Sequence, residues 1–423
     1  MTEGEKNKQI SPDIKSIYTA KRNINQVINQ TPLLQNLSLS DKYHANILLK
    51  REDLQKTRSY KLRGAYHKIS LLSKEKQKKG VVCASAGNHA QGFAFTCNEL
   101  NIKGKIFMPT TTPNQKIKQV RMYGKENIEI ILTGDTFDEA QAEAIRECQS
   151  QNMSFIPPFD DINIIEGQAT IGLEILESSN DKIDYLFIPI GGGGLAAGLS
   201  TVFKQVSPET KLIGVEPEGA ASMKASLEAG KVVRLENINT FVDGAAVKEV
   251  GKIPFEICKN NIETVVTVPE GKICTTILEL YNEDAMVVEP AGALSIAALD
   301  LFKKEIKGKN IVCIASGGNN DITRMEEIKE RSLLYEKLKH YFLISFPQRP
   351  GALKEFVGDV LGPTDDITHF EYHKKNNRNS GPALVGIAVK KPNDLALIIE
   401  KLTDKKIKYE YLNDQSDLFH YII

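Results

Sequence analysis

The sequence has no surplus of either charge. Its 423 residues hold 54 Lys+Arg and 54 Asp+Glu, a formal net charge of zero, which gives neither nucleic acid nor an anionic membrane a general electrostatic hold. It has no apolar run long enough to span a bilayer. Met1–Ser16 is polar and charged and lacks the apolar centre of a signal peptide, so a mobile tail is expected there. The six cysteines, at positions 83, 97, 148, 258, 274 and 313, include no Cys-x-x-Cys pair. Such scattered thiols argue against a disulfide framework or a zinc site and for a cytoplasmic protein. Cys83 and Cys313 lie in apolar, β-rich runs and read as core. Short repeats and low-complexity segments are also missing. What remains is a composition, 41% hydrophobic and 26% charged, ordinary for a globular chain of two to three domains.

After a helical pattern at Ile17–Gln30, stopped by Thr31-Pro32, and a buried strand at 46–50, strands and helices alternate to about residue 320. Strands are predicted at Gly80–Ala84, Lys105–Pro109, Ile128–Thr133, Tyr185–Ile190, Leu212–Glu216 and Ile311–Ala315. Between them lie helical patterns such as Phe137–Ser150, Glu166–Glu177 and Leu195–Val206. The alternation predicts an α/β fold of open, mostly parallel sheets with helices on both faces and ligands at the carboxyl ends of the strands. A charged helical run, Asp321–Lys339, then leads to a different rhythm. Strand patterns at His340–Phe346, Ile367–Lys374, Ala383–Val389 and Lys408–Leu412 enclose helical ones at Pro350–Leu361 and Asp394–Lys401. That order, β-α-β-β-α-β, is ferredoxin-like.

Four segments carry chemistry. In Ser59–Ala65 a lysine opens a helical pattern whose stripe is Leu62, Ala65, Tyr66, Ile69 and Leu72. Lys61 lies off that stripe. A solvated helix lysine is the ordinary reading, but in a water-poor pocket its ammonium is disfavoured, and the amine can form a Schiff base with a carbonyl and later move a proton. Three glycine-rich turns each follow a strand and open a helix: Ser85–Gly92, Gly191–Leu195 and Ser316–Asn320. The four glycines 191–194 let backbone amides converge on an anion at a helix start, unless they only form a tight turn. Leu195 stands where a nucleotide P-loop has its lysine, so phosphate without a nucleotide is the natural guest. Asn88 is either a helix cap or a donor to a phenolate oxygen. Ser316 is either a cap or the partner of a heterocyclic ring nitrogen, which a hydroxyl leaves largely unprotonated. That weaker electron sink suits β-elimination. His89 has a core or capping role at least as readily as a catalytic one. A lysine for a carbonyl, a glycine cradle for a phosphate, Asn for a phenolate and Ser for a ring nitrogen together describe pyridoxal 5'-phosphate.

With Glu289-Pro290-Ala291-Gly292-Ala293, these stretches match in order the motifs of the pyridoxal-phosphate-dependent threonine dehydratases (threonine ammonia-lyases), over roughly residues 20–325, and the chain resembles that family. The resemblance implies a tryptophan-synthase-β-like catalytic domain at 1–325, with a smaller subdomain at about 53–156. It implies that Lys61 carries the cofactor, with Asn88 at its phenolate oxygen, Gly191, Gly192, Gly193, Gly194 and Leu195 at its phosphate, and Ser316 at its ring nitrogen. Ser85, Gly87, Asn88 and His89 would hold the substrate carboxylate. Tyr60 replaces the family's usual phenylalanine and keeps a ring. Ala86 stands where serine racemases of this fold have a second proton-transferring serine, which lowers a racemase reading. Glu216 and the Ala220 region match a metal site of some eukaryotic relatives, but Ser222 replaces its Asp, and no metal is expected. A connecting helix at 326–338 would join an ACT-like domain at 339–423, whose signature is Phe346–Leu353. Its single copy resembles the regulatory domain of biosynthetic members, with isoleucine or valine as effector at Arg349, Pro350 and Gly351; an oligomerisation domain without a ligand is the plain alternative. The implied reaction converts L-threonine to 2-oxobutanoate and ammonia, opening isoleucine synthesis, in a homotetramer. Serine racemase/dehydratase, threonine synthase and a non-catalytic amino-acid sensor are the alternatives.

Overall fold

Uninterrupted apolar strands need cover on both faces, and the chain supplies it with helices. The computed structural model describes residues 11–372 and 380–414; positions 1–10 of the expected tail and the end of the strand expected at Ile367–Lys374 lie outside the described residues. The strands are, in chain order, β1 (Leu33–Gln35), β2 (Asn46–Arg51), β3 (Val81–Ala84), β4 (Gly104–Met108), β5 (Ile128–Leu132), β6 (Ser154–Phe155), β7 (Tyr185–Pro189), β8 (Lys211–Pro217), β9 (Thr264–Val268), β10 (Asn310–Ala315), β11 (Lys339–Pro347), β12 (Asp366–Tyr372), β13 (Ser380–Ala388) and β14 (Lys408–Tyr411).

Contacts divide the chain into two units, Met1–Asp321 and Ile322–Ile423. The first holds two sheets. The larger runs β1-β2-β10-β7-β8-β9, parallel except for β1. Its core joins Leu186 and Ile188 of β7, Val312 and Ile314 of β10, and Leu199 and Phe203 of the helix Gly194–Val206. The smaller sheet runs β5-β4-β3-β6, all parallel, with Cys83, Phe93, Ile106 and Met108 at its centre.

The helix Lys61–Ser70 buries Leu62, Ala65, Tyr66 and Ile69 of the predicted stripe, and Arg63 as well, whereas Leu72 falls past the helix end and is half-buried. Arg63 forks onto Glu52 (2.8 Å) and Glu174 (2.6 Å), and Lys50 on β2 reaches Glu174 at 2.6 Å. All four side chains are essentially without solvent. The helix Ile162–Ser178 crosses the Lys61–Ser70 helix through Gly167 and Gly64; a Cβ on Gly167 would stand 2.6 Å from Gly64 Cα.

The second unit forms one antiparallel sheet, β12-β13-β11-β14, covered by Phe356, Ile398 and Leu402. The β-α-β-β-α-β order therefore closes as a ferredoxin-like sheet. Several local boundaries depart from the sequence expectation; the helix expected over Ile17–Gln30 ends at Ile24, and the one expected at Glu166–Glu177 begins at Ile162. Residues 14–16, expected in the tail, already form a helix, because Asp13 caps it by accepting the Ser16 N–H at 2.7 Å. The helix expected over Pro350–Leu361 begins only at Ala352, after Gly351 at φ +87°, and continues past Glu355 as wide π turns over Phe356–Val360. The charged run helical over Asp321–Lys339 narrows to Met325–Tyr335, since Lys337 takes a left-handed φ of 57° before β11; contacts group that helix with the second unit. Among the described residues no helix is long and apolar enough to cross a membrane.

Candidate active site

Three strand ends of the first unit converge on a cavity with about 280 Å³ of empty space, lined among others by Tyr60, Lys61, Asn88, Gly191, Glu289 and Ser316. Lys61 is the first residue of its helix and turns away from the buried stripe. Its Nζ donates to the Pro158 carbonyl at 3.2 Å and lies 5.3 Å from the centre of the Tyr60 ring. Burial pushes the Lys61 ammonium down to about 8, opposed by the nearby Glu289 carboxylate. A protein amine with that value is a base and a nucleophile near neutral pH, which an exposed lysine is not.

The glycine turn after β7 supplies the anion site. Gly193 caps the following helix at φ +89°, and a Cβ on Gly192 would fall 2.1 Å from the Phe159 ring, so the turn accepts no side chain there. Among the described residues, the N–H groups of Gly191, Gly192 and Gly193 have no acceptor. Those of Gly194 and Leu195 open the helix and lack an intrahelical partner by position. Five donors at a helix start call for an anion.

Asn88 starts the helix Asn88–Glu99, but its side chain does not cap it: Nδ2 donates to Glu289 Oε1 at 2.6 Å, and Oδ1 accepts from Asn319 Nδ2 at 2.7 Å. Ser316, at the end of β10, donates to the Ala291 carbonyl at 3.1 Å and keeps its lone pairs toward the cavity wall that it lines. Ser85 Oγ accepts the Gly87 N–H at 3.2 Å and so shapes the loop that leads to Asn88. His89 is buried against the Ile156 carbonyl, 2.9 Å from Nε2. Burial, then Lys61, hold its imidazole down at about 4, so it is neutral at pH 7. The ring is thus packed in the interior, 4% exposed, away from the solvent-facing side of the loop.

Sequence reasoning missed Glu289 as a functional side chain. It is buried, and burial with Asp243 pushes its carboxyl up to about 7, while the Asn88 and Asn319 donors and Lys116 pull it down. The signal was present: a lone acid inside the otherwise apolar run Val287–Leu294. Asn319 and the Pro158 carbonyl were missed for a different reason, since only the fold brings them to the cavity.

Outside this cavity the remaining candidates have simpler roles. Glu216 accepts the Met223 and Lys224 N–H groups at 2.7 and 2.9 Å and so caps the helix Ser222–Ala229. In the second unit Arg349 is exposed and forked onto Glu355 at 2.8 and 2.7 Å, beside Pro350 and Gly351.

The donor set fits pyridoxal phosphate: a half-buried amine, a carboxamide and a hydroxyl around one cavity, with the unpartnered amides of the glycine turn beginning at its wall. Comparison with known proteins leads the same way. Residues 24–317 match the family model of pyridoxal-phosphate dependent enzymes, and residues 330–422 match the C-terminal regulatory domain of threonine dehydratase. A biosynthetic L-threonine dehydratase of Halalkalibacterium halodurans is 58% identical over 410 residues, covering 97% of this chain and 99% of that protein. Its counterpart in Bacillus subtilis is 56% identical over 410 residues, covering 97% of each. Among solved structures, the processed form of threonine deaminase isoform 2 from Solanum lycopersicum is 44% identical, with a TM-score of 0.72 over 76% of this chain and 95% of that one.

Proposed function

Since the chain belongs to the biosynthetic L-threonine dehydratases, pyridoxal-phosphate-dependent enzymes with a C-terminal regulatory domain, we propose that the cavity around Lys61 is where it converts L-threonine to 2-oxobutanoate and ammonia, the step that opens isoleucine synthesis. The observation that carries this placement is the half-buried Lys61 amine, held near the neutral range and facing a cavity that Asn88, Ser316 and Gly191, the first residue of the glycine turn, also line.

Pyridoxal phosphate, when bound, supplies the sink for the electron pair left at Cα. The protein's residues do the rest. Lys61 would hold the cofactor through Nζ, and the same amine, when free, would take the substrate's Cα proton. The amides of Gly191 to Leu195 would bind the cofactor's phosphate, Asn88 would donate to its phenolate oxygen, and Ser316 would offer its hydroxyl to the ring nitrogen. A hydroxyl at Ser316, in place of a carboxylate, would leave a ring nitrogen there largely unprotonated, which would favour departure of the β-hydroxyl over transamination. The loop Ser85, Gly87, Asn88 and His89 receives the substrate carboxylate with backbone donors. Loss of water across Cα–Cβ leaves an enamine, whose imine form hydrolyses to 2-oxobutanoate and ammonia. Serine lacks the γ-methyl, and one methyl gives only about 10- to 200-fold discrimination.

The same reading assigns isoleucine, or valine, as effector of the unit that begins at Ile322, with Arg349, Pro350 and Gly351 as candidate contacts, and takes the enzyme to be a cytoplasmic homotetramer. The family's regulatory domain supports the effector. The Arg349–Glu355 fork must open for a carboxylate to use that guanidinium.

The test is release of 2-oxobutanoate from threonine, serine and phosphohomoserine, with and without isoleucine, together with borohydride reduction and peptide mapping. Threonine as the best substrate and the reduced cofactor on Lys61 are expected. The cofactor on another lysine would remove the assignment.

A further inference from the structure

The carboxamide of Asn88 has two chemically different ends, and something must decide which end faces which neighbour. The Thr57 carbonyl oxygen can only accept. The Asn319 atom 2.9 Å from it is therefore Nδ2, and that same Nδ2 lies 2.7 Å from Asn88. The Asn88 atom that receives it is thus Oδ1. On the opposite side Asn88 Nδ2 donates to Glu289 Oε1 at 2.6 Å. The Glu289 carboxylate also takes the backbone N–H of Asn319, so Asn319 holds both neighbours at once. Asn319 Oδ1 has no partner among the described residues; the amide is oriented by its donor end alone. The loop that carries Asn319 is itself fixed, because the Gly318 N–H donates to the Arg58 carbonyl at 2.9 Å and a Cβ on Gly317 would collide with Glu289 Oε1 at 2.3 Å.

We propose that Asn319 and Glu289 are positioning residues that lock the Asn88 carboxamide with Oδ1 turned to Asn319 and Nδ2 turned to Glu289, leaving the second Nδ2 hydrogen as the donor for the cofactor's phenolate oxygen. The inference rests on reading the cavity as the pyridoxal phosphate site. Of the two, Asn319 is the decisive lock. Glu289 faces Lys61, Lys116 and Asp243 as well as Asn88, and its carboxyl gains and loses a proton near neutrality. A protonated carboxyl can donate as well as accept, and then no longer distinguishes the ends of an amide. Asn319 does not titrate, and with Thr57 behind it its Nδ2 can only donate.

The test uses the holoenzyme and five variants: Asn88→Ala, Asn319→Ala, Asn88→Ala/Asn319→Ala, Asn319→Asp and Asn319→Asp/Glu289→Gln. Four quantities are read apart from turnover. They are the lysine labelled by borohydride, the pH midpoint of the bound cofactor's visible absorbance, cofactor retention on dialysis, and thermal stability, which Asn319→Asp should lower. Asn319→Asp offers Asn88 acceptors only, so the carboxamide turns over. Absorbance midpoint and retention then move as in Asn88→Ala, with retention about 10- to 100-fold weaker, the loss of one hydrogen bond to a charged group. Labelling stays on Lys61. In the double variant the Gln amide can donate to the turned-over Oδ1, so thermal stability returns toward the parent while the absorbance stays that of Asn88→Ala. A merely structural role for Asn319 would restore both together. Asn88→Ala combined with Asn319→Ala should shift the midpoint no further than Asn88→Ala alone. A parental midpoint and retention in both Asn319 variants, beside a shifted Asn88→Ala, would overturn the proposal, and so would additive shifts in the combination. Loss of Lys61 labelling in the parent enzyme would instead overturn the reading of the cavity.

Discussion

At the scale of single residues, the enzyme's central device is a lysine made unlike other lysines by where its helix starts. An ordinary lysine near 10.5 has almost no neutral amine at pH 7; at about 8, Lys61 has roughly 300-fold more. Below about pH 8 the protonated fraction dominates, so coupling of pyridoxal phosphate to the cofactor-free protein should quicken about tenfold per pH unit and level off above that value. Dividing by the rate for Nα-acetyl-lysine, followed in parallel by stopped flow, removes the cofactor's own titration. If the ratio stays flat from pH 6 to 9, Lys61 does not titrate in this range. Lys61, Asn88, Ser316 and the glycine turn stand out in the sequence because of their residue types: a lysine opening an apolar helical pattern, and an amide, a hydroxyl and glycines in turns that follow strands. Asn319 and Pro158 do not: one bonds through an amide and the other through a main-chain carbonyl, and residue type alone reports neither.

At the scale of elements, the Lys61 helix owes its place to a crossing without side chains. Gly167 presses on Gly64 Cα at 2.6 Å and on the Arg63 carbonyl at 2.7 Å, measured from the Cβ that Gly167 lacks. Both contacts are backbone, which cannot rotate away. Gly167→Ala should therefore force the Lys61–Ser70 and Ile162–Ser178 helices apart, costing about 1–3 kcal/mol. Urea denaturation measures that cost, and a parallel fall in cofactor retention would show that the displacement reaches Lys61. A midpoint unchanged from the parent would mean the crossing absorbs a methyl. The predicted helix Phe137–Ser150 is found with the same ends because a Thr136–Glu139 capping box writes its start into the sequence. The short edge strands β1 and β6 escaped notice, being three and two residues long, too short for any period to register. β9 was missed for another reason: Thr264–Val268 keeps its two strongly buried residues three apart, which no strand alternation predicts.

At the scale of the whole molecule, the two units are separable by contact, with the break between Asp321 and Ile322. A chain ended at Asp321 keeps every residue assigned to the cavity. It should fold, bind pyridoxal phosphate and release 2-oxobutanoate, yet lose the proposed response to isoleucine, for which a coupling of ordinary size would shift threonine affinity by about 5- to 150-fold. Initial rates with and without isoleucine decide the matter: persistent inhibition of the shortened enzyme at the same concentration would place the effector in the first unit. The division into an α/β part and a βαββαβ part was legible from rhythm alone, whereas its exact boundary was not, because the helix Met325–Tyr335 carries the same charged pattern whichever unit it joins.

The buried group formed by Lys50, Glu52, Arg63 and Glu174 ties β2, the turn after it, the Lys61 helix and the Ile162–Ser178 helix into one electrically neutral knot. Removing one charge leaves another uncompensated in the interior, so Arg63→Met should cost about 3–5 kcal/mol, read as a lowered urea midpoint. Replacing all four by apolar residues of similar volume should cost far less. Genetically, the four positions behave as a single locus: each is closed to change alone and open only to change in company. A lineage leaving this arrangement must cross a valley of poorly folded intermediates, and a designer can step over it only by rewriting four codons together.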